Sequence, residues 1–174
     1  MSRLNPRLRA CALAATALLC ASSALAHPPG RMTGGGSILC PGVARVTHGF
    51  ELHCGTGDNP EGSNPPTPNS LEINFSGGEN FHLTQLDVAN CSLDPAVGTP
   101  KPDAPFNTMT GSGSGTFNQL PATIEFRLTD AAEPGAGADF AYFKITQGST
   151  VVLDCGQFLE GGNHQAHTAT GSKQ

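Results

Sequence analysis

The side chains able to carry chemistry are 6 histidines, 14 carboxylates and 6 cysteines in 174 residues. His164 and His167 form a His-x-x-His pair, and His53 and His82 fall on the polar faces of two alternating segments. Neutral imidazoles of this kind suit zinc or copper, and Glu51 could add a carboxylate. The resulting expectation is that His53, His82, His164 and His167 converge on one Zn or Cu ion. A plainer reading leaves them as exposed strand and tail histidines, with His48 a hydrogen-bonded residue of the core face. Asp130, Glu133 and Asp139 flank one turn and present the oxygen ligands calcium takes. They lack the regular spacing of a calcium loop, which favours a solvated turn. Glu51 and Glu125 are the carboxylate pair that a secreted hydrolase would use as general acid and base. The sequence holds no Gly-x-Ser-x-Gly elbow, His-Glu-x-x-His or phosphate loop.

Export decides what the cysteines do. Arg3, Arg7 and Arg9 precede an apolar run from Ala10 to Leu19, and Ala24-Leu25-Ala26 is a small-x-small cleavage signal. Residues 1–26 therefore read as a signal peptide, cleaved after Ala26, with the product secreted or periplasmic. Leu19 stands before Cys20 where a lipoprotein signal wants a small residue. Cleavage removes Cys11 and Cys20 and leaves Cys40, Cys54, Cys91 and Cys155. An even number in an exported chain points to two disulfides, with three connectivities open. The nested pairing, Cys54 with Cys91 and Cys40 with Cys155, is favoured because Cys54 and Cys91 each end a strand-like run. Cysteines held in disulfides do not serve as nucleophiles.

Losing three arginines and no acids takes the net charge from −5 to −8. The remaining cations are scattered, which excludes a nucleic-acid footprint. No later segment approaches the roughly 20 apolar residues of a transmembrane helix. The absence of Trp and the single Tyr weaken a carbohydrate-binding reading, since stacking platforms for sugars would have to come from Phe or Tyr142. About 148 mature residues suffice for one core and, expectedly, a monomer.

The elements that must position these groups are strands. Arg45 to Cys54 alternates for ten residues, with Val46, His48, Phe50, Leu52 and Cys54 on one face. Leu71, Ile73 and Phe75 make a second strand. A third starts at Phe81, loses phase near Gln85 in the manner of a bulge, and ends at Cys91. In Thr108 to Thr116, Gly111, Gly113 and Gly115 share a face, which lets a neighbouring backbone or ring approach closely. Ile124-Phe126-Leu128, Ala141-Phe143-Ile145 and Val151 to Phe158 supply further strands, while 55–69 and 94–106 read as loops. The pattern predicts an all-β fold, an antiparallel β-sandwich or jelly roll of about seven or eight strands. Its parts are a flexible glycine-rich lead-in at 27–36, a single β domain at 37–167 and a disordered tail at 168–174.

Taken in order, Arg45–Cys54, Leu71–Phe75, Asn80–Leu83, Phe126–Gly135 and Gly162–His167 resemble a bacterial domain found after the choice-of-anchor P module of surface proteins. The likeness runs roughly from Thr33 to His167. It implies an exported module and, as the family has no established activity, assigns no catalytic residue. Here the domain is expected to stand alone behind its leader, without a fused anchor or sorting tail. The functional expectation is a secreted, non-catalytic binding or structural module for an unknown protein or surface ligand. Its alternatives are the histidine-based metal protein and the carboxylate hydrolase.

Overall fold

A computed structural model describes residues 30–54, 69–99 and 104–168. The expected signal peptide, the start of the lead-in, most of the 55–69 loop and the tail beyond Thr168 lie outside them. The elements are β1 (Gly30–Cys40), β2 (Ala44–Cys54), β3 (Ser70–Phe75), β4 (Glu79–Ser92), β5 (Thr108–Phe117), β6 (Leu120–Thr129), β7 (Phe140–Gln147), β8 (Thr150–Phe158) and β9 (Gly161–Thr168), with one 3₁₀ turn at Ser76–Gly78. All described pairings are antiparallel, in the order β8-β7-β6-β5-β4-β3-β2-β1-β9.

That order forces curvature. β8 and β9 sit at opposite edges of the nine-stranded sheet, yet only Leu159 and Glu160 join them. A flat sheet would hold those edges roughly 38 Å apart, at about 4.8 Å per strand. The link spans about 10 Å at most. The sheet therefore curls into a half-barrel with one continuous inner face, in place of the two packed sheets of the expected sandwich or jelly roll. Alternation supplies that face: Leu71, Ile73 and Phe75 of β3, Ile124, Phe126 and Leu128 of β6, and Ala141, Phe143 and Ile145 of β7 are all buried. At about 25 cal/mol per Å² of apolar surface, each large side chain here contributes roughly 1.5–3 kcal/mol.

Two disulfides clamp the curl. Cys54–Cys91 ties β2 to β4, and Cys40–Cys155 ties β1 to β8 across the gap between the edges, each with Cα atoms 5.9 Å apart. The nested pairing is the one the structure contains.

Glycine sets how closely neighbours pack. On β5, a Cβ at Gly111 would strike the Phe126 ring and the Val88 carbonyl, and one at Gly115 the Phe81 ring and the His82 carbonyl. Gly113 likewise faces the Gln85 carbonyl and the Leu83 side chain, so the glycine face is filled by rings, an aliphatic side chain and carbonyls of adjacent strands. The same freedom corrects the expected lead-in: Gly30–Gly36 form the N-terminal part of β1, paired with β2 on one side and β9 on the other. Gly35 fits there because a side chain would lie 2.8 Å from the His48 carbonyl, and Gly162 because one would meet the backbone of Gly35 and Gly36. On β4 the expected irregularity appears as register shifts at Leu83/Gln85 and again at Leu86/Val88.

Candidate functional site

The groups best suited to acid–base chemistry gather inside the gap between the sheet edges. β9 pairs with β1 on one side only, so the N–H groups of His164 and Ala166 point away from that ladder. Asp139 Oδ2 accepts the His164 N–H at 2.7 Å and Asp130 Oδ2 accepts the Ala166 N–H at 2.7 Å. Asp139 Oδ1 also accepts from Ala131 N at 2.8 Å. Two carboxylates thereby replace the strand that would otherwise cover β9. The link adds backbone bonds, with Leu159 N donating to Asp139 O and Glu160 N to Ser37 O, both at 2.8 Å. Neither aspartate has any solvent exposure, so the expected solvated turn is corrected: an unpaired N–H in this position costs about as much as a lost hydrogen bond, and the carboxylates satisfy it.

Beside them lie two imidazoles. His164 Nδ1 is 3.0 Å from the Thr129 carbonyl, which can only accept, so Nδ1 carries the proton. His164 Nε2 is then an acceptor, and His48 Nε2, 2.7 Å away, must donate to it. This leaves His48 Nδ1 a bare lone pair, and it has no hydrogen-bond partner among the described residues. The ring of His48 packs 5.1 Å from Phe143, and that of His164 packs edge-on at 5.0 Å from Phe50. Burial, with His164 close by, pushes His48 down to about 3. Burial also lowers His164 to about 4, against the pull of Asp139 and the Thr129 hydrogen bond. Both rings are neutral, hydrogen-bonded members of the core, as the plain reading of His48 expects. Burial raises Asp130 to about 6, and its Oδ1 has no partner among the described residues.

The structure does not bring the four expected metal ligands together. His164 faces the interior, whereas His53, His82 and His167 lie on the outer face. His53 and His167 stand on either side of Arg31 in the cross-strand register. Burial and that guanidinium hold the His167 pKa down, and its Nε2 is 2.9 Å from Thr33 Oγ1. His53 Nδ1 lies 3.3 Å from Asn69 Oδ1. His82 pairs in register with Glu72, on the far side of β3. Among the described residues no group of three or more His, Cys, Asp or Glu side chains is placed to hold a metal ion. The calcium set fails likewise, since Asp130 and Asp139 are committed to β9 and Glu133 accepts from Asn163 and Gln165 outside. Glu51 and Glu125 are kept apart by β3, β4 and β5, and each has its own cation, Arg31 at 3.2 Å and Lys144 at 3.2 Å.

The outer surface offers two other features. At one end, Phe140 and Phe158 meet edge-to-face at 5.7 Å, with the Arg127 guanidinium 5.9 Å from the Phe140 ring. Gly156 lets the Phe140 and Tyr142 rings close over β8. Further along the sheet, over the interior strands β2, β3 and β4, a trough of about 540 Å³ opens, lined by Thr47, Gly49, Ser70, Glu72, Asn74 and His82 together with His48, Leu71 and Leu83. Sequence reading passed over this trough because each of its polar residues looks like an ordinary solvent-facing position. The one available signal was Gly49, a glycine in the middle of an otherwise unbroken alternation.

No family model, no curated protein and no solved structure matches the chain.

Proposed function

We propose that the chain works outside the cytoplasm as a single, monomeric, disulfide-locked β module that binds a partner or surface ligand and catalyses no reaction. The observation that carries this reading is the commitment of the interior ionisable groups. His48 is hydrogen-bonded to His164, Asp139 accepts the His164 N–H and Asp130 the Ala166 N–H of β9, and all four are at least 94 % buried. A general acid or base must reach the proton it moves, and these groups face backbone and rings. The leader and the two disulfides favour an oxidising compartment. The ordered motifs that resemble the domain following choice-of-anchor P modules agree with a module that carries no chemistry of its own.

The test uses the mature chain from His27, with both disulfides intact, on ester, glycoside, phosphoester and peptide substrates. The expected outcome is no turnover above the background of heat-denatured protein. Turnover that is lost on Glu51→Gln or Glu125→Gln would replace the module reading with the hydrolase one.

A further inference from the structure

We infer that the trough over β2, β3 and β4 is a binding site for a neutral polyhydroxylated ligand, a saccharide face, with Gly49 kept side-chain-free as its floor. The inference rests on the module reading and names its site and ligand class.

Gly49 is the starting observation. Glycine inside a strand weakens it, through chain entropy and the absence of a side chain to pack. Elsewhere in the described strands that weakness has a local cause. Gly111, Gly113, Gly115 and Gly156 have rings, side chains or carbonyls where a Cβ would go, and the β1 glycines have a neighbouring backbone or ring. Gly49 has nothing within 4 Å of a Cβ, and its φ is not positive. Only Gly161, the first residue of β9 after the link, shares that combination among the described strand glycines. Neither conformation nor packing requires glycine at 49. What its missing side chain does is leave the trough open.

The walls define the ligand. Gly49 pairs with Glu72, and Glu72 with His82, so the three form a cross-strand row on the outer face. Asn74 Nδ2 donates to Glu72 Oε1 at 3.2 Å, while Glu72 Oε2 stands 4.0 Å from His82 Nδ1. The carboxylate is held between an amide and an imidazole with lone pairs remaining for a ligand. Thr47 and Ser70 add hydroxyls. This mixture of acceptors and two-way groups matches hydroxyls, which donate and accept at once. An anion would meet Glu72 on a chain of net charge −5, and a metal ion would find only one carboxylate and one imidazole, Glu72 and His82, on this outer face, where among the described residues no group of three or more His, Cys, Asp or Glu side chains is placed to hold one. The volume falls within the range of small-ligand sites. No Phe, Tyr or Trp ring lines the trough, so recognition here is by hydroxyl hydrogen bonding.

The experiment is a ¹H–¹⁵N NMR titration of the mature, disulfide-intact chain with maltohexaose, cellohexaose, laminarihexaose and N-acetylchitohexaose. Each is used at about 5 mM, enough to populate a site of millimolar Kd. The expected result is that at least one oligosaccharide shifts the resonances of Gly49, Glu72, Asn74 and His82. In Gly49→Val the affinity falls by more than tenfold while the melting temperature stays the same or rises. Absence of shifts at those four residues with every oligosaccharide overturns the inference. So does a Gly49→Val variant that melts lower, because glycine would then serve packing. Shifts confined to Phe140, Tyr142 and Phe158 would overturn the trough and leave the module reading standing, whereas cleavage of an added oligosaccharide would refute the module reading itself.

Discussion

His48 and His164 share one hydrogen bond between two neutral rings, and that single fact makes stability depend on pH. Both are held below the ordinary value of 6.5, near 3 and near 4. The unfolded chain takes up protons below 6.5 that the folded chain refuses, so stability falls as pH drops from about 6.5 toward 4. Asp130 acts in the opposite sense. Its carboxyl is raised from 3.8 to about 6, so its contribution is complete below 3.8 and is lost as pH rises through 6. Two histidines outweigh one aspartate, and the net slope is about one proton, or about 1.4 kcal/mol per pH unit. Urea unfolding at intervals between pH 4.5 and 7 checks this: midpoints decline on the acid side, and His48→Phe flattens the decline. A profile that is level or rises on acidification would assign the wrong charge states to the pair.

At the scale of elements, glycines that look alike in sequence behave differently in the sheet. Gly111→Ala should lower stability by about 1–3 kcal/mol, the usual range for overpacking, because the new methyl would meet the Phe126 ring and the Val88 carbonyl. Thermal melts read this directly, and an unchanged midpoint would mean that the ring is free to move away. Strands were legible where side chains alternate: β2, β3, β6 and β7 follow from Val46 to Cys54, Leu71 to Phe75, Ile124 to Leu128 and Ala141 to Ile145. β5 was legible from the phase of its three glycines. Gly34-Gly35-Gly36 in β1 and Gly161-Gly162 in β9 were not, because glycine carries no face and reads as flexible until a partner strand is known. Asp130 and Asp139 were missed as core residues for a related reason. Their burial depends on β9 returning to the far edge, a long-range pairing that no local spacing records. The histidine expectation failed on facing: period two places His53 and His82 on polar faces, but says nothing about His164 lying on the inner face of β9.

For the whole molecule, closure of the curl is what the disulfides protect. Cys40–Cys155 closes a separation of 115 residues and Cys54–Cys91 one of 37. On the chain-entropy model these contribute about 5 and about 4 kcal/mol. Replacing Cys40 and Cys155 by serine should therefore lower the melting temperature more than replacing Cys54 and Cys91, since only the outer bridge also ties β1 to β8. The reverse order would place the weak point within the sheet and not at its edges. The claim on which the functional reading depends is that the interior carboxylates and imidazoles hold β9 in place. Amide hydrogen exchange measured by NMR on the mature chain tests it most directly. The His164 and Ala166 amides, although on an edge strand, should exchange as slowly as those of Phe126 and Phe143 in the sheet interior, and Asp139→Asn should speed the His164 amide selectively. Exchange of both amides in the native chain at the rate of an unprotected strand edge would contradict it.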